Sequence, residues 1–158
     1  MKIRLGIVVA LIAMALLSGG IFAKEGKIAI TPFAGIMTNG SSSFTVGAIV
    51  DYPLGKGLFL EGDAGIVFDN TWLYIGGGVM YQFDLKNSPI IPFVVGGAGI
   101  HYVSVAIGDL GSVSSTDLKL NAGGGVKFEI SKGVMFRTEF RFYFLDGSFE
   151  RISAGIEF

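Results

Sequence analysis

Apolar and polar side chains alternate along most of the chain, and the pattern is clearest in residues 133–144, GVMFRTEFRFYF. One parity of this segment holds four phenylalanines and a threonine, while the other holds Arg137, Glu139, Arg141 and Tyr143. Successive side chains of a β-strand point to opposite faces. The alternation therefore predicts a strand with one aromatic face and one charged face.

The same alternation recurs between clusters of turn-forming residues. These clusters are rich in Gly, Pro, Asn, Asp and Ser, and they fall at 38–42, 53–56, 69–71, 86–89, 108–116, 131–133 and 146–148. They leave eight segments, which the pattern predicts to be eight antiparallel strands. The first and fifth segments, KIAITPFAGIM and IIPFVVGGAGIHYV, carry few charges, so their alternation leaves open which side chains face inward.

Two architectures are compatible with this alternation. A water-soluble barrel or sandwich places its apolar side chains inside and its polar side chains in solvent. A membrane barrel does the reverse, with apolar side chains toward lipid and charged side chains in the lumen. Alternation by itself does not choose between them.

The composition of the two faces favours the membrane barrel. The polar parity is largely glycine, which suits a narrow lumen that must accommodate a few large side chains. Aromatic residues lie near segment ends on the apolar parity, as in the aromatic girdles of membrane barrels. The glycines are Gly76, Gly78, Gly123, Gly125 and Gly155.

The polar parity also carries charges of both signs. Buried charges require partners, because an isolated ion in a low-dielectric interior is very costly. We therefore predict a structural network of ion pairs inside the lumen. Its predicted members are Glu61, Asp63, Lys127, Arg137, Glu139 and Arg141.

Closure follows from the membrane environment. Hydrocarbon offers no partner to a free backbone N–H or C=O, so a spanning sheet must close on itself. Eight strands give a barrel whose interior is just filled by side chains. The prediction is an all-β, eight-stranded antiparallel up-and-down transmembrane β-barrel with a plugged lumen.

The first 23 residues have the layout of a secretory signal peptide. Lys2 and Arg4 precede the apolar stretch 5–17, and small residues lead to Ala23. We predict a signal peptide over 1–23 and a barrel domain over 24–158, with an uncleaved N-terminal anchor as the alternative. The chain has no cysteine, which excludes disulfides and thiolate metal sites, and its formal net charge of −1 does not favour nucleic-acid binding.

These features resemble the bacterial superfamily of eight-stranded outer-membrane β-barrels that includes the OmpA transmembrane domain and the OmpX/Ail type. The resemblance is carried by the export signal, the two GGG strands and the last segment, FERISAGIEF. It implies a cell outer-membrane location, contact with outer-membrane lipids and a monomeric state. It also implies that Phe158 and Ile156 form the C-terminal signal recognised by the outer-membrane assembly machinery. Connections at 38–43, 69–71, 104–116 and 145–148 would face outward, and those at 53–56, 85–89 and 131–133 would face the periplasm.

Candidate chemistry is sparse. The lipid A deacylase of this superfamily uses His, Ser and Glu on its outer wall, and His101 and Ser104 are the nearest equivalents here. Their offset of three places them on opposite faces of a strand, which favours an ordinary lumen histidine. The glycine clusters do not open a helix after a strand, as a phosphate-binding loop would. The longest connection, 104–116, is the best candidate for contact with an external ligand or partner.

The sequence thus predicts a structural or envelope role without catalysis, cofactor or metal. A surface-binding protein or narrow pore is the main alternative. A lipid A-modifying enzyme and a soluble secreted barrel that binds an apolar ligand are the others.

Overall fold

The chain forms a single closed β-barrel. The computed structural model describes residues 28–38, 40–68, 72–86, 88–106, 112–145 and 147–158. The predicted signal peptide, 1–23, lies outside the described residues.

Eight strands pair in sequence order, and β1 pairs with β8 to close the sheet. Every pairing is antiparallel, which confirms the predicted eight-stranded up-and-down barrel. The strands are β1 (Ala29–Thr38), β2 (Ser42–Gly55), β3 (Leu58–Val67), β4 (Trp72–Gln82), β5 (Ile90–Ala106), β6 (Ser112–Ser131), β7 (Val134–Phe144) and β8 (Phe149–Glu157).

Side-chain facing is that of a membrane barrel. Phe140 is 46% exposed on the outside of the barrel, whereas its neighbour Arg141 is 1% exposed in the lumen. The structure also decides the facing of the two strands that the alternation left open. In β1, Phe33 points inward and Ile36 outward, and in β5 His101 points inward and Ile100 outward.

Aromatic side chains gather at both ends of the outer surface. We call the end where β1 begins and β8 ends the base, and the opposite end the rim. Phe44 and Phe68 stack at the rim with their ring centroids 5.8 Å apart. Tyr81 and Phe83 meet edge to face at the base, 5.0 Å apart. This arrangement is the double girdle expected of a barrel whose ends meet the two membrane interfaces.

The β5–β6 hairpin is longer than the sequence predicted. The segment 104–116 was expected to be a connection because it is rich in Gly, Ser and Asp. In the structure the ladder continues through Val103↔Ser115 and Ser104↔Ser114 to Ala106↔Ser112. Strand pairing in this hairpin overrides the weak strand propensity of its residues. The expectation that all of 104–116 is a connection was therefore wrong for 104–106 and 112–116, which belong to strands.

Glycines that face the lumen and glycines that face outward differ in whether the surrounding atoms leave room for a Cβ. A Cβ added to Gly125 in the lumen would overlap the Thr138 carbonyl oxygen and lie 2.7 Å from the Phe93 ring. A Cβ added to Gly62, on the outer surface, would meet no atom closer than 4.0 Å. The lumen glycine is therefore required by close backbone packing, and the outward one is not.

This contrast gives a matched pair of variants. Gly125→Ala is expected to destabilise the folded barrel by about 1–3 kcal/mol, because it overpacks the wall. Gly62→Ala is expected to be neutral or stabilising by up to about 1 kcal/mol, because alanine restricts the unfolded chain. Urea titration of the two proteins in lipid vesicles would compare them. Equal destabilisation by both changes would contradict the assignment of Gly62 to open outer surface.

Candidate functional site

The lumen is crossed by one connected network of charged side chains. It contains five carboxylates (Asp51, Glu61, Asp63, Glu139 and Glu157) and four cations (Lys127, Arg137, Arg141 and Arg151). These residues come from β2, β3, β6, β7 and β8, and each is 4% exposed or less. Such burial is tolerated because every charge has an opposite charge within ion-pair distance.

Glu139 is the centre of the network. Its carboxylate lies 2.7 Å from Arg141 Nη2 and 2.8 Å from Arg151 Nη2, and it also accepts a hydrogen bond from Arg137. Glu61, on the opposite wall, also bridges two arginines and lies 2.6 Å from both Arg137 and Arg141. Each glutamate therefore bridges guanidinium groups with charge-assisted hydrogen bonds.

Two further carboxylates extend the network toward its ends. Asp51 lies 2.9 Å from Arg137 Nη1 and 3.1 Å from Lys127 Nζ on the base side. Asp63 lies 2.9 Å from Arg151 Nη1 on the rim side. The charged layer thus runs from Lys127 near the base to Arg151 near the rim.

The structure brings together all six residues proposed for the lumen network. Three other members, Asp51, Arg151 and Glu157, were not predicted from the sequence. Each lies on the lumen parity of its own strand, so parity alone could have selected them. The partner of each charge, however, depends on which strands face each other across the barrel, and the sequence pattern carries no such signal.

An apolar layer closes the lumen on the rim side of the network. Its buried members include Phe33, Met37 and Ile49, together with the stacked pair Tyr143 and Phe149, whose ring centroids are 4.5 Å apart. Trp72, partly buried, packs against this cluster. The rim layer separates the charged network from the connections at that end.

A second, smaller apolar cluster lies beside the charges in the base half of the lumen. Met80, Phe93 and Val95 are buried there, and Phe59 packs against them. The Arg137 guanidinium lies 4.6 Å from the centroid of the Phe93 ring, a distance at which cation–π attraction contributes. Lys127 Nζ lies 5.7 Å from the centroid of the same ring. Charged and apolar side chains therefore share the base half of the lumen, and an apolar layer covers the charges on the rim side only.

His101 is enclosed in the rim layer. Its ring stacks on Tyr74 at 5.6 Å between centroids and contacts Phe149 at 4.7 Å and Tyr143 at 5.3 Å. The residue is 2% exposed, and it faces the lumen, not the outer wall. Ser104 lies further along the same strand, opposite Ser114. Among the described residues, no group of three or more His, Cys, Asp or Glu side chains is arranged to hold a metal ion.

The C-terminal residues complete the closure of the barrel. Ile30 N donates to Phe158 O at 3.2 Å, and Phe158 N donates to Ile30 O at 3.0 Å. Ile156 pairs with Phe136 of β7. These contacts give Phe158 a structural part in joining β1 to β8, and its part in assembly stays a prediction.

The fold and its inverted facing define an eight-stranded β-barrel of the outer-membrane type. The chain is similar to neisserial surface protein A (TM-score 0.67, 16% identity, 82% of this chain and 94% of that chain). It is equally similar to the N-terminal β-barrel domain of Pseudomonas aeruginosa OprF (TM-score 0.67, 16% identity, 83% and 96%). Ail, the attachment invasion locus protein of Yersinia pestis, shares the fold at TM-score 0.57 and 15% identity, over 83% and 96% of the two chains. No protein-family model matches the chain, and no curated protein matches it.

Proposed function

We propose that the protein is a small integral protein of the bacterial outer membrane with a structural role in the envelope and a lumen that conducts no solute. The filled lumen carries this proposal. Its charges are paired with one another, and an apolar layer covers them on the rim side. The likeness in fold to outer-membrane barrels supports the location.

Electrical recording tests the closed lumen. The purified barrel, reconstituted in a planar bilayer, is expected to show no reproducible unit conductance, since ions would have to pass the paired charged network and the apolar layer at the rim. A porin reconstituted in the same way is the positive control. Stepwise currents of uniform size from the wild-type barrel would replace the structural role with that of a narrow pore.

Catalysis on lipid A is the alternative that depends on His101. The burial of His101 among Tyr74, Tyr143 and Phe149 argues against it, because a lipid on the outer surface has no access to the ring. Cells that produce the wild-type protein and cells that produce His101→Ala are expected to contain lipid A of the same mass. A mass difference between the two would contradict the non-catalytic proposal.

A soluble secreted barrel and a membrane barrel would be recovered in different cell fractions. A protein whose outer surface carries Phe44, Tyr52, Ile75 and Ile152, each more than half exposed, is expected in the membrane fraction after cell breakage without detergent. Recovery in the aqueous fraction would favour the secreted, ligand-binding barrel.

A binding role at the rim has one observation in its favour, the protruding β5–β6 hairpin. Ail has been crystallised with sucrose octasulfate, a heparin analogue. A polyanion is an unsuitable ligand for the rim, because among the described residues there Glu150 is exposed and acidic while the cations Lys119 and Arg151 are buried. Any rim partner should therefore have the opposite charge.

A further inference from the structure

The outer wall of the barrel has a hollow across β2, β3 and β4. Its volume is about 440 Å³, within the range of roughly 300–1,000 Å³ that ligand sites occupy. Its floor contains Gly62 of β3 and Gly77 of β4, which pair directly with each other. A Cβ added to either glycine would meet no atom closer than 3.4 Å. The space above both glycines is therefore open to whatever surrounds the barrel.

Apolar side chains border the hollow toward the base. Val50, Tyr52, Leu60 and Val79 line it, and each is between 40% and 53% exposed. The register places Leu60 between Tyr52 and Val79, two residues nearer the base than the paired glycines. An empty hollow facing hydrocarbon would forfeit van der Waals contacts. An acyl chain or another apolar surface therefore fills it.

Tyr52 adds a polar atom at the base end of the hollow. A tyrosine at a membrane interface keeps its ring in the apolar region and its hydroxyl at the polar level. Within the part of the chain that the structure describes, the Tyr52 hydroxyl makes no hydrogen bond. It is therefore available to an oxygen atom of a lipid.

A cation follows Tyr52 toward the base. Lys56, in the β2–β3 turn, is four residues further along, or roughly 13 Å of extended chain. Lys56 is exposed, and no carboxylate of the described residues lies within ion-pair distance of its ammonium group. Lysines at the end of a membrane-spanning element extend their charge to the level of the lipid headgroups. The hollow thus has an unneutralised positive charge at its base end.

The backbone at Lys56 is unusual for a lysine. Its φ angle is 53°, in the left-handed region that glycine and asparagine adopt more readily. Leu145 is the one other non-glycine residue with a positive φ in the described ranges. The turn is joined to β4, because Gln82 N donates to Gly57 O at 2.8 Å. Lys56 is therefore held in place at a conformational cost that a glycine would avoid.

A phospholipid supplies both complements that these residues require, an apolar chain for the hollow and an anion for the lysine. We propose that the hollow, Tyr52 and Lys56 form a binding site for one phospholipid with an anionic headgroup, from the leaflet at the base. One acyl chain lies over Gly62 and Gly77, and the phosphate accepts hydrogen bonds from Lys56 and the Tyr52 hydroxyl. Lys56 supplies the preference for an anionic headgroup. This binding is additional to the structural role and independent of whether the lumen conducts ions.

Native mass spectrometry of the full barrel in detergent, titrated with dioleoyl phosphatidylglycerol, tests the acyl-chain contact. The wild type is expected to retain one phosphatidylglycerol per barrel. Gly62→Leu, which fills the hollow, is expected to weaken this binding about tenfold or more. Ala154→Leu is the matched control, because it adds a leucine to the outer surface of β8, away from the hollow, and should bind like the wild type.

The same titration tests the headgroup contact. Lys56→Gln is expected to weaken binding of phosphatidylglycerol about fivefold, and Lys56→Arg, which retains the charge, is expected to bind like the wild type. Lys132→Gln removes an exposed lysine from the β6–β7 turn and should have no effect. Dioleoyl phosphatidylcholine, which has no net charge, is expected to bind the wild type about fivefold more weakly. Heat-modifiable migration on a detergent gel verifies that each variant is folded.

Three outcomes would overturn the proposal. Equal retention of phosphatidylglycerol by the wild type and Gly62→Leu would mean that the lipid only surrounds the barrel and has no site in the hollow. Equal binding by the wild type and Lys56→Gln, or equal binding of the two lipids, would remove the anionic headgroup from the site. Self-association of the wild type that Gly62→Leu abolishes would assign the hollow to a second copy of the chain.

Discussion

Replacing Glu139 with leucine is expected to destabilise the folded barrel by about 3–5 kcal/mol. The change leaves Arg137, Arg141 and Arg151 without their shared carboxylate in a closed, desolvated layer. The cost arises mainly from uncompensated buried charge and much less from the lost attraction. Urea titration in lipid vesicles, followed by the fluorescence of the single tryptophan, Trp72, would measure it.

Glu150→Leu is the matched control for this prediction. Glu150 also lies in a strand, but it is exposed, and its carboxylate accepts a 3.5 Å hydrogen bond from Thr38 at the barrel surface. Its replacement is expected to change the free energy of unfolding by no more than about 0.5 kcal/mol. Similar losses in the two variants would mean that the Glu139 network does not stabilise the barrel.

Replacing Phe140 with arginine is expected to cost about 2–4 kcal/mol of folding free energy in a bilayer and to impair insertion. Phe140 is exposed on the outer surface at the level of Gly124, well inside the barrel's span, so an arginine there would face hydrocarbon. The yield of heat-modifiable protein after refolding into vesicles would report insertion. Phe140→Leu, which keeps the surface apolar, is expected to insert normally.

A substitution at the neighbouring lumen residue, Arg141, is expected to affect stability and not insertion. Arg141→Leu is expected to insert, because the new side chain points into the lumen, but to lose stability by leaving Glu61 and Asp63 short of a partner. Normal behaviour of Phe140→Arg together with failed insertion of Arg141→Leu would reverse the assignment of inside and outside.

Much of the fold could be predicted because its main determinant is local. Alternation with a period of two identifies strands, and the phenylalanines of β7 next to Arg137 and Arg141 identify a sheet with one apolar and one ionic face. That signal is weak in β1 and β5, so the sequence did not predict which side chains of these two strands face the lumen. Phe33, Phe93 and Val95 are apolar yet face the lumen, where they belong to its two apolar clusters. The polarity of these three side chains therefore does not predict that they face the lumen.

The extended pairing of β5 with β6 above the rim was not predicted from the sequence, and the reason is different. Gly108, Gly111 and the serines at 112, 114 and 115 have low strand propensity, so local chemistry indicated a long connection. Pairing between Val105 and Val113, next to an established ladder, makes the extended form favourable. The point at which a ladder stops depends on both of its strands, so the sequence of one strand does not show it.

By itself, the sequence determined the number of strands, their order and the residue types that face each side, since alternation and turn residues act between near neighbours along the chain. Only the tertiary structure decided which charges meet, because Arg137 reaches Asp51 and Glu61 across a closed lumen that exists only once β1 has paired with β8. It also decided that an apolar layer covers those charges on the rim side and that the ladder of β6 with β5 runs to Ala106↔Ser112. Each of these features depends on contacts between residues far apart in sequence.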